Sequence, residues 1–227
     1  MIKREIYNFI ECMTTWQGEG PDSGKQMLLV RFKECNMNCY FCDTKVKMRT
    51  SISAMYSSTD IQHEIDKHKC GLLITGGEPT FKNNLQMTID LINQIKFPFA
   101  NVETNGFRLN ELINSTKDKA QQVKFIFSPK IFSERMFYDN IEIINNVVKD
   151  DRVFIKLVID KKERDSFAHR FLNHVVDKYP KLQYRTYLMP EGKTREEIIN
   201  NSPIVFDLCE RYGVNFSSRQ HIIYNFI

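Results

Sequence analysis

The sequence predicts an α/β fold built on a parallel sheet, and three observations predict it. Short β-branched, apolar runs alternate with segments of helical period along most of the chain. The polar signatures fall where those runs end, which is where parallel α/β folds assemble their sites. No internal repeat, low-complexity tract or Pro/Gly/Ser linker divides the 227 residues, so 1–227 is expected to form a single domain.

Six main strands are expected at Leu28–Phe32, Gly71–Thr75, Asn101–Thr104, Val123–Phe127, Val153–Ile159 and Tyr184–Leu188. Between them, Leu85, Ile89, Ile92 and Ile95 recur at helical spacing, as do Ile141, Ile144 and Val148, and then Phe167, Phe171, Val175 and Tyr179. Near the end, Ser202 is placed to cap a helix with Pro203 at its first position and Gly213 just past its last turn. A last strand is expected near Val214–Ser218. Periodicity leaves a (βα) barrel and an open doubly wound sheet equally allowed.

Composition narrows the function classes. Hydrophobic residues at 42% and charged residues at 26% are ordinary for a globular chain with a sizeable core. A net charge of +4, with no dense Lys/Arg run, argues against a nucleic-acid surface. No apolar stretch approaches membrane-spanning length and no signal-like start is present, so the expectation is a cytoplasmic protein with no membrane partner.

Cysteine placement is the sharpest signal. Cys35, Cys39 and Cys42 fall within eight residues, while Cys12, Cys70 and Cys209 are scattered. A tight cluster reads as metal binding and lone cysteines as small apolar core residues. Three thiolates on one loop can hold three irons of a 4Fe–4S cubane and leave the fourth open to a chelating ligand. A structural zinc site would need a fourth ligand and usually shows paired Cys-x2-Cys spacing. Phe41, just before the last cysteine, could pack on an adenine or merely on the following helix.

The pattern Cys35-x3-Cys39-x-Phe41-Cys42 resembles the signature of the radical S-adenosylmethionine superfamily, and Thr75-Gly76-Gly77-Glu78-Pro79 resembles that superfamily's second motif. Further segments resemble the 7-carboxy-7-deazaguanine synthase family. These are Gln17-Gly18-Glu19-Gly20, Arg31 four residues before Cys35, Cys42-Asp43-Thr44, Glu103-Thr104-Asn105-Gly106, Ser128-Pro129-Lys130 and Gln220-His221. Taken singly, several have plain readings: a surface turn for the Gln17–Gly20 loop, an ion pair for Arg31, a helix cap for Thr44. Seven short motifs in family order favour the functional reading.

The resemblance implies an incomplete (βα)6 barrel with family-specific terminal additions. It implies three cofactors: a 4Fe–4S cluster on Cys35, Cys39 and Cys42, S-adenosylmethionine, and Mg²⁺ held through Thr44. Phe41, Gly76, Gly77, Glu78, Asn105, Ser128 and Lys130 would contact S-adenosylmethionine. Gln17, Gly18, Glu19, Arg31, Thr104 and His221 would contact the substrate, 6-carboxy-5,6,7,8-tetrahydropterin. The expected reaction is radical conversion of that pterin to 7-carboxy-7-deazaguanine with loss of ammonia, in 7-deazapurine biosynthesis. A flavodoxin- or ferredoxin-type electron donor and a homodimer are implied as partners. A glycyl-radical activase and a non-catalytic zinc module stay open as alternatives on the cysteines alone.

Overall fold

The computed structural model describes residues 5–119, 122–160 and 167–226. The chain groups into two compact units. One holds the described residues of Met1–Trp16 and Lys25–Phe125, the other those of Gln17–Gly24 and Ile126–Ile227.

The first unit runs β1 (Ile6–Phe9), β2 (Glu11–Trp16), β3 (Gln26–Phe32), α1 (Lys45–Thr50), β4 (Ala54–Ser57), α2 (Ser58–His68), β5 (Gly71–Gly76), α3 (Asn84–Gln94), β6 (Ala100–Thr104) and α4 (Leu109–Ser115). Then β7 (Val123–Phe127) carries the chain into the second unit. Within this unit the strand order is β2-β3-β5-β6, with β2 antiparallel to β3 and the other pairs parallel. β1 and β4 form a separate antiparallel pair. β3 is the central strand and all but its first residue are buried, the near-continuous apolar run of a strand covered on both faces. Met27 and Leu29 pack with Leu73 and Phe99, while Phe32 meets Phe9 edge-on at 5.1 Å. Each such side chain contributes about 1.5–3 kcal/mol through burial.

Helix starts here follow local chemistry. Ser57 caps α2 by accepting from the Asp60 amide, and the Asp60 carboxylate accepts from the Ser57 amide in return. α3 buries Leu85, Thr88, Leu91 and Ile92; Ile95 is buried just past its end, and Ile89 is only half-buried.

The second unit adds α5 (Glu134–Val147), β8 (Val153–Ile159), α6 (Phe167–Lys178), α7 (Pro180–Gln183), β9 (Thr186–Pro190), α8 (Arg195–Tyr212), β10 (Asn215–Phe216) and α9 (Gln220–Tyr224). β8, β9 and β10 lie side by side and parallel. α5 buries Phe137, Ile144 and Val147; α6 buries Phe171, Leu172 and Val175.

β3, β5 and β6 differ from the sequence expectations by one or two residues at one end, and three later elements differ further. β9 starts at Thr186 rather than Tyr184, because Pro180 opens the short α7 and Arg185 still donates its amide to Leu182. The last strand is reduced to Asn215–Phe216. α8 is capped by Thr194, eight residues before Ser202: Thr194 accepts from the Glu197 amide, and Glu197 accepts from the amides of Lys193 and Thr194. Ser202 is interior and donates its hydroxyl to the Ile198 carbonyl at 2.7 Å. Pro203 is also interior, where its missing N–H removes one hydrogen bond without ending the helix. Gly213 is the C-cap, as expected. No described helix is long and apolar enough to cross a membrane.

Candidate active site

In the first unit the cysteine loop follows β3, and its position is set by the turn after β5. The Gly77 amide donates to the Phe32 carbonyl and the Glu78 amide to the Glu34 carbonyl, both at 2.8 Å. Backbone thus lies directly on backbone. A β-carbon on Gly76 would stand 2.3 Å from the Phe32 nitrogen, and one on Gly77 would stand 2.0 Å from the Glu34 oxygen. Gly76 also has φ +126°, a region that L side chains rarely adopt. The two glycines are required by that contact with the segment leading into Cys35.

Glu78 is the hub of this frame. It is fully buried, and its Oε1 accepts from the Thr80 amide (3.0 Å), the Thr80 hydroxyl (2.7 Å) and the Thr104 hydroxyl (2.6 Å). Its Oε2 accepts from the Asn105 amide at 2.7 Å. Burial raises its carboxyl above the usual range, and the four donors only partly offset that. Asn105 then donates its side-chain amide to Asn36 Oδ1 at 2.8 Å, tying the end of β6 to the cysteine loop. Asn84 closes the frame from α3 by donating to the Glu78 carbonyl at 2.9 Å.

The donor set of the loop fits an iron–sulfur cluster. The Met37 amide donates to Cys35 Sγ at 3.4 Å, the kind of N–H···S contact that tunes clusters. Thr44 stands at the N-cap of α1 but makes no capping hydrogen bond. Its hydroxyl instead lies 3.5 Å from Cys42 Sγ and 3.4 Å from Asp43 Oδ1. Tetrahedral zinc thiolates would sit about 3.8 Å apart, given Zn–S bonds near 2.3 Å. Among the described residues, no cysteine belongs to a trio of His, Cys, Asp or Glu ligand atoms within 4.8 Å of one another. Cys12, Cys70 and Cys209 lie outside the loop, and burial pushes the thiols of Cys12 and Cys209 up to about 11, as it does that of Cys35. Phe41 is half-buried and meets Tyr40 edge-on at 5.0 Å.

Arg31 is buried near the end of β3, directly opposite Glu11 across the β2–β3 ladder, and its Nε donates to Glu11 Oε2. Glu11 Oε1 accepts from Lys47 Nζ of α1 at 2.7 Å. Burial would raise the Glu11 carboxyl, but Lys47 and Arg31 outweigh it and hold it below the usual range.

The second unit gathers the Gln17–Gly20 loop and the C-terminal His221. The Gln220 amide donates to the Gly18 carbonyl at 3.0 Å, and the Gly20 amide donates to Ser217 Oγ at 2.8 Å. A β-carbon on Gly18 would stand 2.4 Å from His221 Nδ1, so only glycine fits against that ring. Gln17 is buried and its Oε1 accepts from the Glu19 amide at 3.2 Å. Glu19 accepts from Lys156 Nζ of β8 on one oxygen and from Arg219 Nε (3.2 Å) on the other, with His221 Nε2 at 3.7 Å. Arg219 also donates to the Gly192 carbonyl at 2.6 Å. Burial acts to raise the Glu19 carboxyl; the charges of Lys156, Arg219 and His221 overcome it and keep the group ionised. After β7, Lys130 Nζ donates to Ser128 Oγ at 2.7 Å, and the Lys130 carbonyl accepts from Asn140.

Of the residues that the sequence named, Arg31, Cys35, Cys39, Phe41, Cys42, Thr44, Gly76, Gly77, Glu78, Thr104 and Asn105 lie in the first unit, and Gln17, Gly18, Glu19, Ser128, Lys130 and His221 in the second. Sequence reasoning missed Glu11, Asn36, Thr80, Lys156 and Arg219. Thr80 lies two residues from its partner Glu78, but the partners of Glu11, Asn36, Lys156 and Arg219 are 20 to 200 residues away, beyond any local motif.

Residues 17–136, more than half of the chain, match the model of the 4Fe–4S single cluster domain. The chain belongs to the 4Fe–4S single cluster domain family. A 7-carboxy-7-deazaguanine synthase of Hyperthermus butylicus is 24% identical over 96% of this chain and 92% of its own length. The enzyme of that name from Neisseria meningitidis is 33% identical over 44% of this chain and 45% of its own. The crystal structure of QueE from Escherichia coli superposes with a TM-score of 0.63 at 20% identity, covering 95% of both chains. That likeness shows the fold, the α/β incomplete-barrel class expected from the motifs. The Hyperthermus butylicus and Neisseria meningitidis relatives carry the synthase name to which the motifs pointed.

Proposed function

We propose that this member of the single-cluster family is a radical S-adenosylmethionine enzyme. It converts 6-carboxy-5,6,7,8-tetrahydropterin to 7-carboxy-7-deazaguanine and ammonia, for 7-deazapurine biosynthesis. One observation carries the reading. The cysteine loop, the Gly-Gly-Glu turn and the end of β6 are hydrogen-bonded into one frame around Glu78, in a chain similar over nearly its whole length to a 7-carboxy-7-deazaguanine synthase.

Cys35, Cys39 and Cys42 hold the cluster. When bound, it supplies the electron that splits the S-adenosylmethionine sulfonium and yields the 5′-deoxyadenosyl radical. Gly76, Gly77 and Glu78 fix the backbone that receives the methionyl group, and Phe41, Asn105, Ser128 and Lys130 complete the S-adenosylmethionine contacts. Gln17, Gly18, Glu19 and His221 bind the aminopyrimidinone side of the pterin. Arg31, oriented by Glu11, binds its carboxylate. Thr104 spends its hydroxyl on Glu78, which leaves its methyl for the pterin. The Thr44 hydroxyl, unused as a cap, is the Mg²⁺ ligand. The reading includes a flavodoxin- or ferredoxin-type electron donor, a homodimer and a cytoplasmic setting.

The test is anaerobic assay of the reconstituted protein with the carboxytetrahydropterin. The expected result is 7-carboxy-7-deazaguanine with ammonia, and a loss of about 10²-fold or more in Thr44→Ala. Cleavage of S-adenosylmethionine to 5′-deoxyadenosine without that product would remove the substrate and keep the cluster chemistry. Tetrahedral zinc in place of the cluster would remove both.

A further inference from the structure

We propose that Lys156 and Arg219 are positioning residues that fix Glu19 as a purely accepting edge, so that the site selects a ligand bearing adjacent N–H donors, as a guanidine-like 2-aminopyrimidinone does. The inference rests on the reading above, in which the Gln17–Gly20 loop binds the pterin, and it adds the residues that set that loop's selectivity.

The geometry starts from burial. The Glu19 side chain is 13% exposed, Lys156 3% and Arg219 7%. A carboxyl removed from water takes up a proton unless cations hold it ionised, and a protonated carboxyl is a donor as well as an acceptor. Here each carboxylate oxygen meets a different cation, Oε2 the ammonium of β8 and Oε1 the guanidinium that precedes α9. Arg219 is itself pinned by the Gly192 carbonyl, so the carboxylate plane cannot swing. A carboxylate has about four lone-pair directions, so Lys156 on Oε2 and Arg219 on Oε1, with His221 Nε2 also 3.7 Å from Oε1, leave acceptor capacity on both oxygens.

The chemical consequence is a rule about the ligand edge. Two N–H groups side by side, from a ring nitrogen and an exocyclic amine, match two acceptors. Replacing the amine with a carbonyl sets oxygen against carboxylate oxygen. Sites built to bond an N–H reject the analogue lacking it strongly, by on the order of 10³-fold or more. Lys156 and Arg219 need touch no ligand to produce that discrimination.

The experiment measures equilibrium dialysis of the reconstituted holoenzyme with 6-carboxytetrahydropterin and with its 2-oxo (lumazine-type) counterpart. Wild type is expected to favour the amino compound strongly. Lys156→Met should lower that ratio by about tenfold or more. Lys156→Arg should keep most of it, and Lys156→Gln, which retains a donor and drops the charge, stands in if the Met variant does not fold. Combined with Glu19→Gln, the Lys156 substitution should lower the ratio no further, because both act through one carboxylate. Iron content of the Lys156 variants should stay at wild-type level. A folded Met or Gln variant with the wild-type ratio, an Arg variant that falls equally far, or additive effects with Glu19→Gln would overturn the proposal. A wild type that binds neither compound, or both alike, would instead strike at the pterin reading itself.

Discussion

Gly77 puts backbone where any other residue would put a methyl group. Its absent β-carbon would lie 2.0 Å from the Glu34 carbonyl, and neither partner is a flexible side-chain tip that could move aside. Gly77→Ala should therefore separate the turn from the cysteine loop, at a cost of about 2–4 kcal/mol. Iron and sulfide bound after anaerobic reconstitution should drop to a small fraction of wild type, while far-UV circular dichroism keeps its helical signal. A variant that loads its full complement of iron would show that the loop finds its geometry without the turn. The glycines, the cysteines and Glu78 were legible because each lies in a short, spaced pattern whose chemistry is local. Lys156, Arg219 and Glu11 were not. A buried lysine in an apolar β8 and a glutamate in a polar β2 acquire meaning only from partners brought close by folding.

Among the elements, the parallel strands followed from short apolar runs because a strand covered on both faces must be largely apolar, as β3 and β5 are apart from Gln26, Arg31 and Thr75. β1, β2 and β4 were invisible for the opposite reason. They are short, antiparallel and half-exposed, with Met55 and Ile6 facing outward. α8 shows a conflict between signals. Ser202-Pro203 has the form of a helix start, yet Thr194-x-x-Glu197 provides a complete capping box eight residues earlier, and that one forms. The capping box is worth about 1 kcal/mol and an interior proline costs about 3, so the box alone does not decide the start; the turns before Pro203 also bury Ile198, which adds about 1.5–3 kcal/mol. Thr194→Ala should cost about 1 kcal/mol and lower the melting temperature by roughly 2–4 °C. Ser202→Ala, by contrast, should change it by less than half as much. Equal effects in a thermal melt would mean that the helix starts at Ser202 after all.

For the molecule as a whole, the carboxylates decide how stability answers to acid, and they do not all pull the same way. Glu11 and Glu19 are held below their ordinary value of 4.5, and Asp150 below 3.8, in each case by cations that outweigh burial. A group whose folded pKa is depressed stabilises the fold above its unfolded pKa and loses that contribution as pH falls through the folded value. Glu78 is raised, so its sign is reversed: its contribution is present below 4.5 and declines as pH rises through the raised value. With Glu197, held low by the backbone amides of Lys193 and Thr194, four depressed carboxyls among the described residues stand against one raised, which predicts a net loss of stability on acidification, beginning near pH 4.5 and continuing below it. Glu11 isolates the effect, because its partners Arg31 and Lys47 stay charged throughout. The gap in urea midpoint between wild type and Glu11→Gln should be constant at neutral pH, worth about 1 kcal/mol, and should close as pH falls below 4.5. The gap for Glu78→Gln should slope the other way, with wild type losing ground to the variant as pH rises. Parallel slopes for the two variants would mean that Glu78 is ionised at no cost, and that its four donors suffice to hold the charge in the interior.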